Sequence, residues 1–154
     1  MAVYTKFNQN KINEILSHYN LGKLDQFKGI EEGIENTNYF LSIKKKKYIL
    51  TIYEKRVNKY DLPFFSKLML ELSNKKFICP KPILNKNNEY ISDLGSKKFM
   101  LVSYLEGKSK TNLSPDDCSS IGEQAARLHE ITKNFNFNRN NDLSVKSWRK
   151  IFDQ

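Results

Sequence analysis

The residues of this chain whose types and spacing could do chemistry are few and scattered. Gly29 and Gly33 stand in the phrase GIEEGIEN, which Asn36 closes, with Asn38 just beyond. Small residues there let backbone N–H groups close on a phosphate. Taken alone, G-x-x-x-G in a strand connection reads as a flexible turn. Asp93-Leu94-Gly95 has the outline of a metal-binding acidic motif, but it precedes a strand, where a turn between strands is expected. His129 falls near the end of a helical stretch, where a packed or capping histidine is the usual outcome. His18 lies on a short polar helix with no partner in sight. Cys79 and Cys118 are isolated and fit neither a disulfide framework nor a zinc pattern, so both are read as reduced, ordinary thiols.

Composition narrows the classes. A chain of 154 residues with 39% hydrophobic and 12% aromatic residues can bury a core and is too apolar for disorder. No segment approaches the roughly 18–20 apolar residues of a membrane span. The start, MAVYTKFNQNKINEIL, lacks an apolar leader, so a cytoplasmic location and no membrane partner are expected. The formal charge of +9 has two readings: an anionic partner, or general overuse of Lys, Asn and Ile. Only residues 44–47 form a lysine run, too short for a nucleic-acid tail, and no nucleic-acid partner is expected.

These residues need elements to position them. Residues 8–19 carry Ile12, Ile15, Leu16 and Tyr19 as an amphipathic helical stripe, with Gly22 a stop beyond it. Strand-like runs follow at 24–30, 37–43 and 48–53, with 44–47 as a polar hairpin tip. A second helix is signalled by Asp61 as a cap and Pro63 in the first turn. Phe64, Phe65, Leu68, Met69 and Leu72 would bury one face against the sheet, and CPKP at 79–82 would end the helix. Two more strands are expected at 81–84 and 98–105. SPDD at 114–117 is the strongest helix start, with Ile121, Ala125, Leu128 and Ile131 on its apolar face. A last stripe begins at Trp148, Ile151 and Phe152, and its shortness suggests an interrupted element.

Taken in order, FKGIEEGIENTNYFL, YILTIYEKRVNKYDLPFF, CPKP and LVSYLEGKS resemble homoserine kinase of the aminoglycoside-phosphotransferase-like superfamily. SSIGEQAARLHE is similar to that family's first large-lobe helix, and DLSVKSWRKIF resembles the segment after it. The resemblance runs along essentially the whole chain. It implies an α+β fold: a protein-kinase-like small lobe, with an antiparallel five-stranded sheet plus helix, over residues 1–105 including the hinge. The first helices of a large lobe, truncated before the catalytic loop, would occupy 106–154. The implied activity is ATP-dependent phosphorylation of the hydroxyl of L-homoserine, a step of threonine biosynthesis.

Within that family frame, Gly29, Gly33, Asn36 and Asn38 would cover the phosphates of ATP, with Glu31 and Glu32 turned to solvent. Where many kinase-like folds carry a phosphate-neutralising Lys or Arg, this chain has Thr51. Strand alternation would set Lys55 on the same face, reaching toward the phosphates from the strand end. A solvated strand end formed by Lys55 and Arg56 is the equal alternative. An adenine would bond to the backbone of Ser103, Tyr104 and Leu105, with Leu50, Val102 and Leu105 against the ring.

Phosphoryl transfer also needs an Asp near the acceptor and ligands for Mg2+. The family holds these on a His-x-Asp-x-x-x-x-Asn loop and a later Asp. His18 is followed by Tyr-Asn and His129 by Glu-Ile, so neither opens such a loop. No catalytic residue and no metal ligand is therefore expected in this chain, which alone should be inactive and should need a C-terminal lobe as partner. Other readings stay open: another small-molecule kinase of the superfamily (choline-, aminoglycoside- or hydroxylysine-like), or a non-catalytic nucleotide-binding remnant. A basic nucleic-acid binder would show steeply salt-dependent affinity.

Overall fold

The computed structural model describes residues 3–55, 57–141 and 144–153. Arg56 lies outside them, as does the side chain of Ile151. Helix α1 (Gln9–Ser17) opens on Asn8, whose side-chain oxygen accepts from the Lys11 N–H at 2.9 Å. Its stripe of Ile12, Ile15 and Leu16 is buried, as the spacing requires.

Strands β1 (Leu24–Ile30), β2 (Thr37–Ile43), β3 (Lys46–Tyr53), β4 (Ile91–Leu94) and β5 (Lys97–Ser103) form one antiparallel sheet in the order β1-β2-β3-β5-β4. The β2–β3 hairpin tip is shorter than the lysine run suggests. Lys44 and Lys45 alone turn, with φ of 48° and 64°, while Lys46 and Lys47 pair with Ile43 and Ser42. Two positive φ values suit a tight two-residue hairpin, and the Lys45 N–H is held by Asp25 Oδ2 at 3.0 Å.

Alternation gives the sheet two unlike faces. On one, Tyr39, Leu41, Ile43, Leu50, Ile52, Phe99 and Leu101 form the main core with α1. The other carries Asn38, Phe40, Ile49, Thr51 and Val102, all half-buried, and the fully buried Met100.

Helix α2 (Leu62–Asn74) departs from the expected packing. Leu62, Ser66 and Leu72 are its buried residues. Phe64 and Phe65 are half-buried, and Phe64 meets Phe135 edge-on at 5.7 Å. The apolar surface of α2 is broad enough to serve both the β4 side of the sheet and the segment after the next helix. Asp61 sits at the cap position but makes no capping bond; its carboxylate takes Arg139 Nε at 2.8 Å instead. The helix ends well before CPKP. Lys76 adopts φ 58°, and the N–H groups of Lys76 and Phe77 bond the Ser73 and Leu72 carbonyls at 3.0 and 2.9 Å. That is a Schellman end with lysine where glycine is usual.

The expected strand at 81–84 is only an isolated bridge, Pro82 to Val102, because Pro80 and Pro82 have no N–H to give a ladder. The fifth strand is β4, whose last residues, Asp93 and Leu94, belong to the stretch expected to turn; Gly95 at φ 60° begins the turn to β5. Strand β5 stops at Ser103, so Tyr104 and Leu105 lie beyond it.

Helix α3 (Pro115–Thr132) has the full capping box, with Ser114 Oγ accepting from the Asp117 N–H at 3.2 Å and Asp117 Oδ2 accepting from the Ser114 N–H at 2.9 Å. Helix α4 (Val145–Phe152) completes the described elements. Among the described residues no helix is long and apolar enough to cross a membrane.

Candidate functional site

The half-buried face of the sheet is the only part of the expected site that strand register assembles side by side. Asn38 and Thr51 are directly opposite on β2 and β3, and the Thr51 hydroxyl donates to Asn38 Oδ1 at 2.8 Å. Ile49 faces Val102 across β3 and β5, and Phe40 faces Ile49 across β2 and β3. The result is an apolar strip with one polar pair at its edge. Tyr53 shares this face; burial pushes its phenol up to about 12, so it is neutral near pH 7. A cleft of about 400 Å³ opens beside the strip, lined by Lys28, Gly29, Ile30, Glu31, Glu32 and Phe40.

Leu50 does not join this group. It is fully buried on the opposite face, paired with Leu101 in the main core, while its neighbour Ile49 lies on the strip. Gly29 also faces that core: a Cβ there would stand 3.0 Å from Val3 Cγ2 and 3.6 Å from Tyr39 Cε1. Packing of the N-terminal segment is thus one physical reason for a residue without a Cβ here. Gly33 is exposed at φ 108°, a conformation that suits glycine. Glu31 and Glu32 are exposed as expected, yet they also line the cleft.

Asn36 faces β3, its Oδ1 accepting from the Glu54 N–H at 3.4 Å. Lys55 lies past the end of β3, where alternation no longer fixes a face; it is exposed and lines a separate cleft of about 320 Å³ with Tyr4, Ile34, Glu35, Glu54 and Lys97.

At the end of β5 two of the expected backbone donors are engaged. The Ser103 N–H donates to the Lys81 carbonyl at 2.9 Å, and the Tyr104 N–H to the Lys47 carbonyl at 3.2 Å. Ser103 Oγ also accepts from the Lys81 N–H at 2.9 Å. The Tyr104 ring packs edge-on against Phe40 at 5.4 Å, closing the strip on that side. Asp93, of the metal-like motif, pairs with Lys98 Nζ at 2.5 Å, in register across β4 and β5. Among the described residues no group of three or more His, Cys, Asp or Glu is placed to hold a metal ion.

One cluster escaped the sequence reading altogether. Glu54 Oε1 accepts from the Thr5 and Thr37 hydroxyls at 2.6 and 2.8 Å, and Glu54 Oε2 pairs with Lys97 Nζ. Partial burial raises the Glu54 pKa, but the bonds from Lys97, Thr5 and Thr37 outweigh it and hold the carboxyl below its ordinary value. The four residues come from distant parts of the chain, so no local spacing could announce them.

A match to a family model decides the family. A family model described as the phosphotransferase enzyme family matches residues 26–154. The chain belongs to the phosphotransferase enzyme family. Homoserine kinase of Methylobacterium radiotolerans is 42% identical over 154 residues, which is 100% of this chain and 48% of that protein. Homoserine kinase of Hyphomonas neptunium is 40% identical over 153 residues, 99% of this chain and 47% of that one. This phosphotransferase-family chain thus spans about half the length of the curated relatives it matches.

Among solved structures, a spectinomycin phosphotransferase in complex with ADP and spectinomycin has a TM-score of 0.70 at 17% identity, covering 97% of this chain and 46% of its own. A microcompartment-associated aminopropanol kinase also reaches 0.70, at 14% identity, covering 92% and 48%. The five-stranded antiparallel sheet with α1 and α2 therefore has the kinase-like small-lobe fold, and the fold as a whole is α+β.

Proposed function

We propose that this chain is the nucleotide-binding part of an ATP-dependent kinase that phosphorylates the hydroxyl of L-homoserine, a cytoplasmic step of threonine biosynthesis. The observation that carries the reading is likeness along 99–100% of the chain to relatives named homoserine kinase. The site supports it physically. A half-buried apolar strip offers a surface for a purine ring, and the neighbouring cleft of about 400 Å³ falls within the ~300–1,000 Å³ typical of small-molecule sites.

In this reading Ile49, Val102 and Phe40 hold the ring by apolar contact, and the Leu105 backbone orients it. The connection 31–36 covers the phosphates, with Asn38 and Thr51 below it, and Lys55 approaches from the strand end. ATP supplies the phosphoryl group that is transferred. The ligands for Mg2+ and the base near the acceptor belong, on this proposal, to a C-terminal lobe. The boundary between the lobes is proposed at 105/106, in the irregular stretch between β5 and α3.

The test is to read the coding DNA past the codon for Gln154, in every frame, and to assay the extended protein with ATP and Mg2+. The acceptor panel includes L-homoserine, choline, an aminoglycoside and an amino alcohol. Phosphohomoserine as the favoured product, with none formed by the 154-residue chain alone, is the expected result. Preference for another acceptor overturns the substrate assignment.

A further inference from the structure

The cluster around Glu54 has no part in the ligand contacts above, and the hydroxyl at its centre, that of Thr37, is fully engaged. Thr37 is fully buried, and its hydroxyl accepts from the N–H groups of Tyr4 and Thr5, each at 3.0 Å, while donating to Glu54. One proton and two lone pairs are thereby all used. Thr5 donates to Glu54 and accepts from Lys97 Nζ at 2.6 Å. The cluster therefore ties the N-terminal segment, the start of β2, the residue after β3 and the start of β5.

Two further bonds run from these residues onto the β1–β2 connection itself. The Tyr4 hydroxyl donates to the Ile34 carbonyl at 2.9 Å, and the Glu54 N–H reaches Asn36 Oδ1. Residues 31–35 are exposed, so the connection is located by these ties rather than by burial of its own side chains. Thr37 points to the core face, opposite the strip that carries Asn38 and Thr51, so its effect on a ligand there is indirect.

We infer that Tyr4, Thr5, Thr37, Glu54 and Lys97 are positioning residues that anchor the β1–β2 connection over the cleft. Resting on the nucleotide reading, they set how tightly the phosphates of ATP are held and leave adenosine binding alone. The chemistry distinguishes serine from valine at position 37. Serine keeps the hydroxyl and its three bonds; valine keeps the shape, takes the acceptor from the N–H groups of Tyr4 and Thr5, and leaves Glu54 Oε1 with the Thr5 hydroxyl alone.

The experiment measures amide exchange and ligand affinity in the full chain, for wild type, Thr37→Val, Thr37→Ser and Tyr4→Phe. In Thr37→Val, amides of 31–36 should exchange at least about tenfold faster, the scale of about one lost hydrogen bond, with the interior of β3 unchanged. The dissociation constant for ATP with Mg2+ should rise at least about fivefold while that for adenosine moves less than about twofold. Thr37→Ser should restore both. Equal weakening of ATP and adenosine, or wild-type exchange in 31–36, overturns the inference.

Tyr4→Phe removes one exposed bond and should raise loop exchange modestly. If Thr37→Val does not fold, a wild-type rate in Tyr4→Phe overturns the anchor. Should the wild type bind neither ligand, the nucleotide reading falls and the phosphate role with it. The exchange rates still decide the anchor, upheld if the loop loosens and rejected if it does not.

Discussion

The sheet and helix α3 are built on opposite terms. Helix α3 has the best local start in the chain: a reciprocal Ser114–Asp117 box, Pro115 in the first turn, and Lys110 Nζ bonded to both Asp117 oxygens at 2.7 Å. Those bonds, led by the one from Lys110, hold the Asp117 carboxyl below its ordinary value. Yet no residue of α3 is buried, and Ile121 on its apolar stripe is 57% exposed. Strand β2 has no comparable start signal, but Tyr39, Leu41 and Ile43 are each at most 3% exposed. Local bonds decide whether a segment takes its shape; burial decides how much the whole fold depends on it.

The largest contrast comes from truncating one isoleucine in each region. Ile52→Ala should cost about 2–5 kcal/mol in denaturant unfolding, the range for emptying a closed core site. Ile121→Ala should change stability by no more than about 0.5 kcal/mol, as at an open surface. Equal losses would mean that the stripe on α3 is covered in solution.

A smaller effect is expected on acidification, and it falls on the sheet. The Glu54 carboxyl is held below its ordinary value in the folded state, so the unfolded chain takes up the proton first as pH falls. Its contribution is complete above the unfolded value, around pH 4.3, and disappears as pH drops through the lower folded value. Thermal midpoints measured from pH 7 downward should therefore fall more steeply for wild type than for Glu54→Gln. Parallel curves would remove Glu54 as a source of acid sensitivity.

The smallest effect sharpens the comparison from the helix side. Ser114→Ala should cost α3 about 1 kcal/mol of local stability, seen as faster amide exchange in its first turns. The unfolding midpoint of the sheet should not move. A shifted midpoint would show that α3 and the sheet unfold together.

The sequence was most legible where one signal had one meaning. In TNYFLSI the buried and half-buried positions alternate as observed, and SPDD starts its helix where the capping rule puts it. In YILTIY nearly every residue favours a strand and apolar residues fall on both faces, so alternation could not say that Leu50 points into the core and Ile49 away from it. The end of α2 hid because a lysine occupies the left-handed position that glycine normally marks. Strand β4 hid because ISDL is short and half polar, and its pairing comes from β5 rather than from its own propensity. Of the candidate site, Asn38 and Thr51 could each be named from the sequence, but their pairing depends on the register of two strands. The Glu54 cluster could not be read, since the Lys97–Thr5 bond joins residues 92 apart in the chain.

The close approach of Val3 to Gly29 makes those two positions share one volume. Over generations such a pair drifts as a couple: a methyl gained at 29 becomes tolerable once the side chain at 3 shrinks. A glycine kept for a bound phosphate follows another rule, because no change at position 3 relieves it. The history of exchanges at these two sites among this chain's descendants therefore records whether the glycine serves the packing of the N-terminal segment or a ligand.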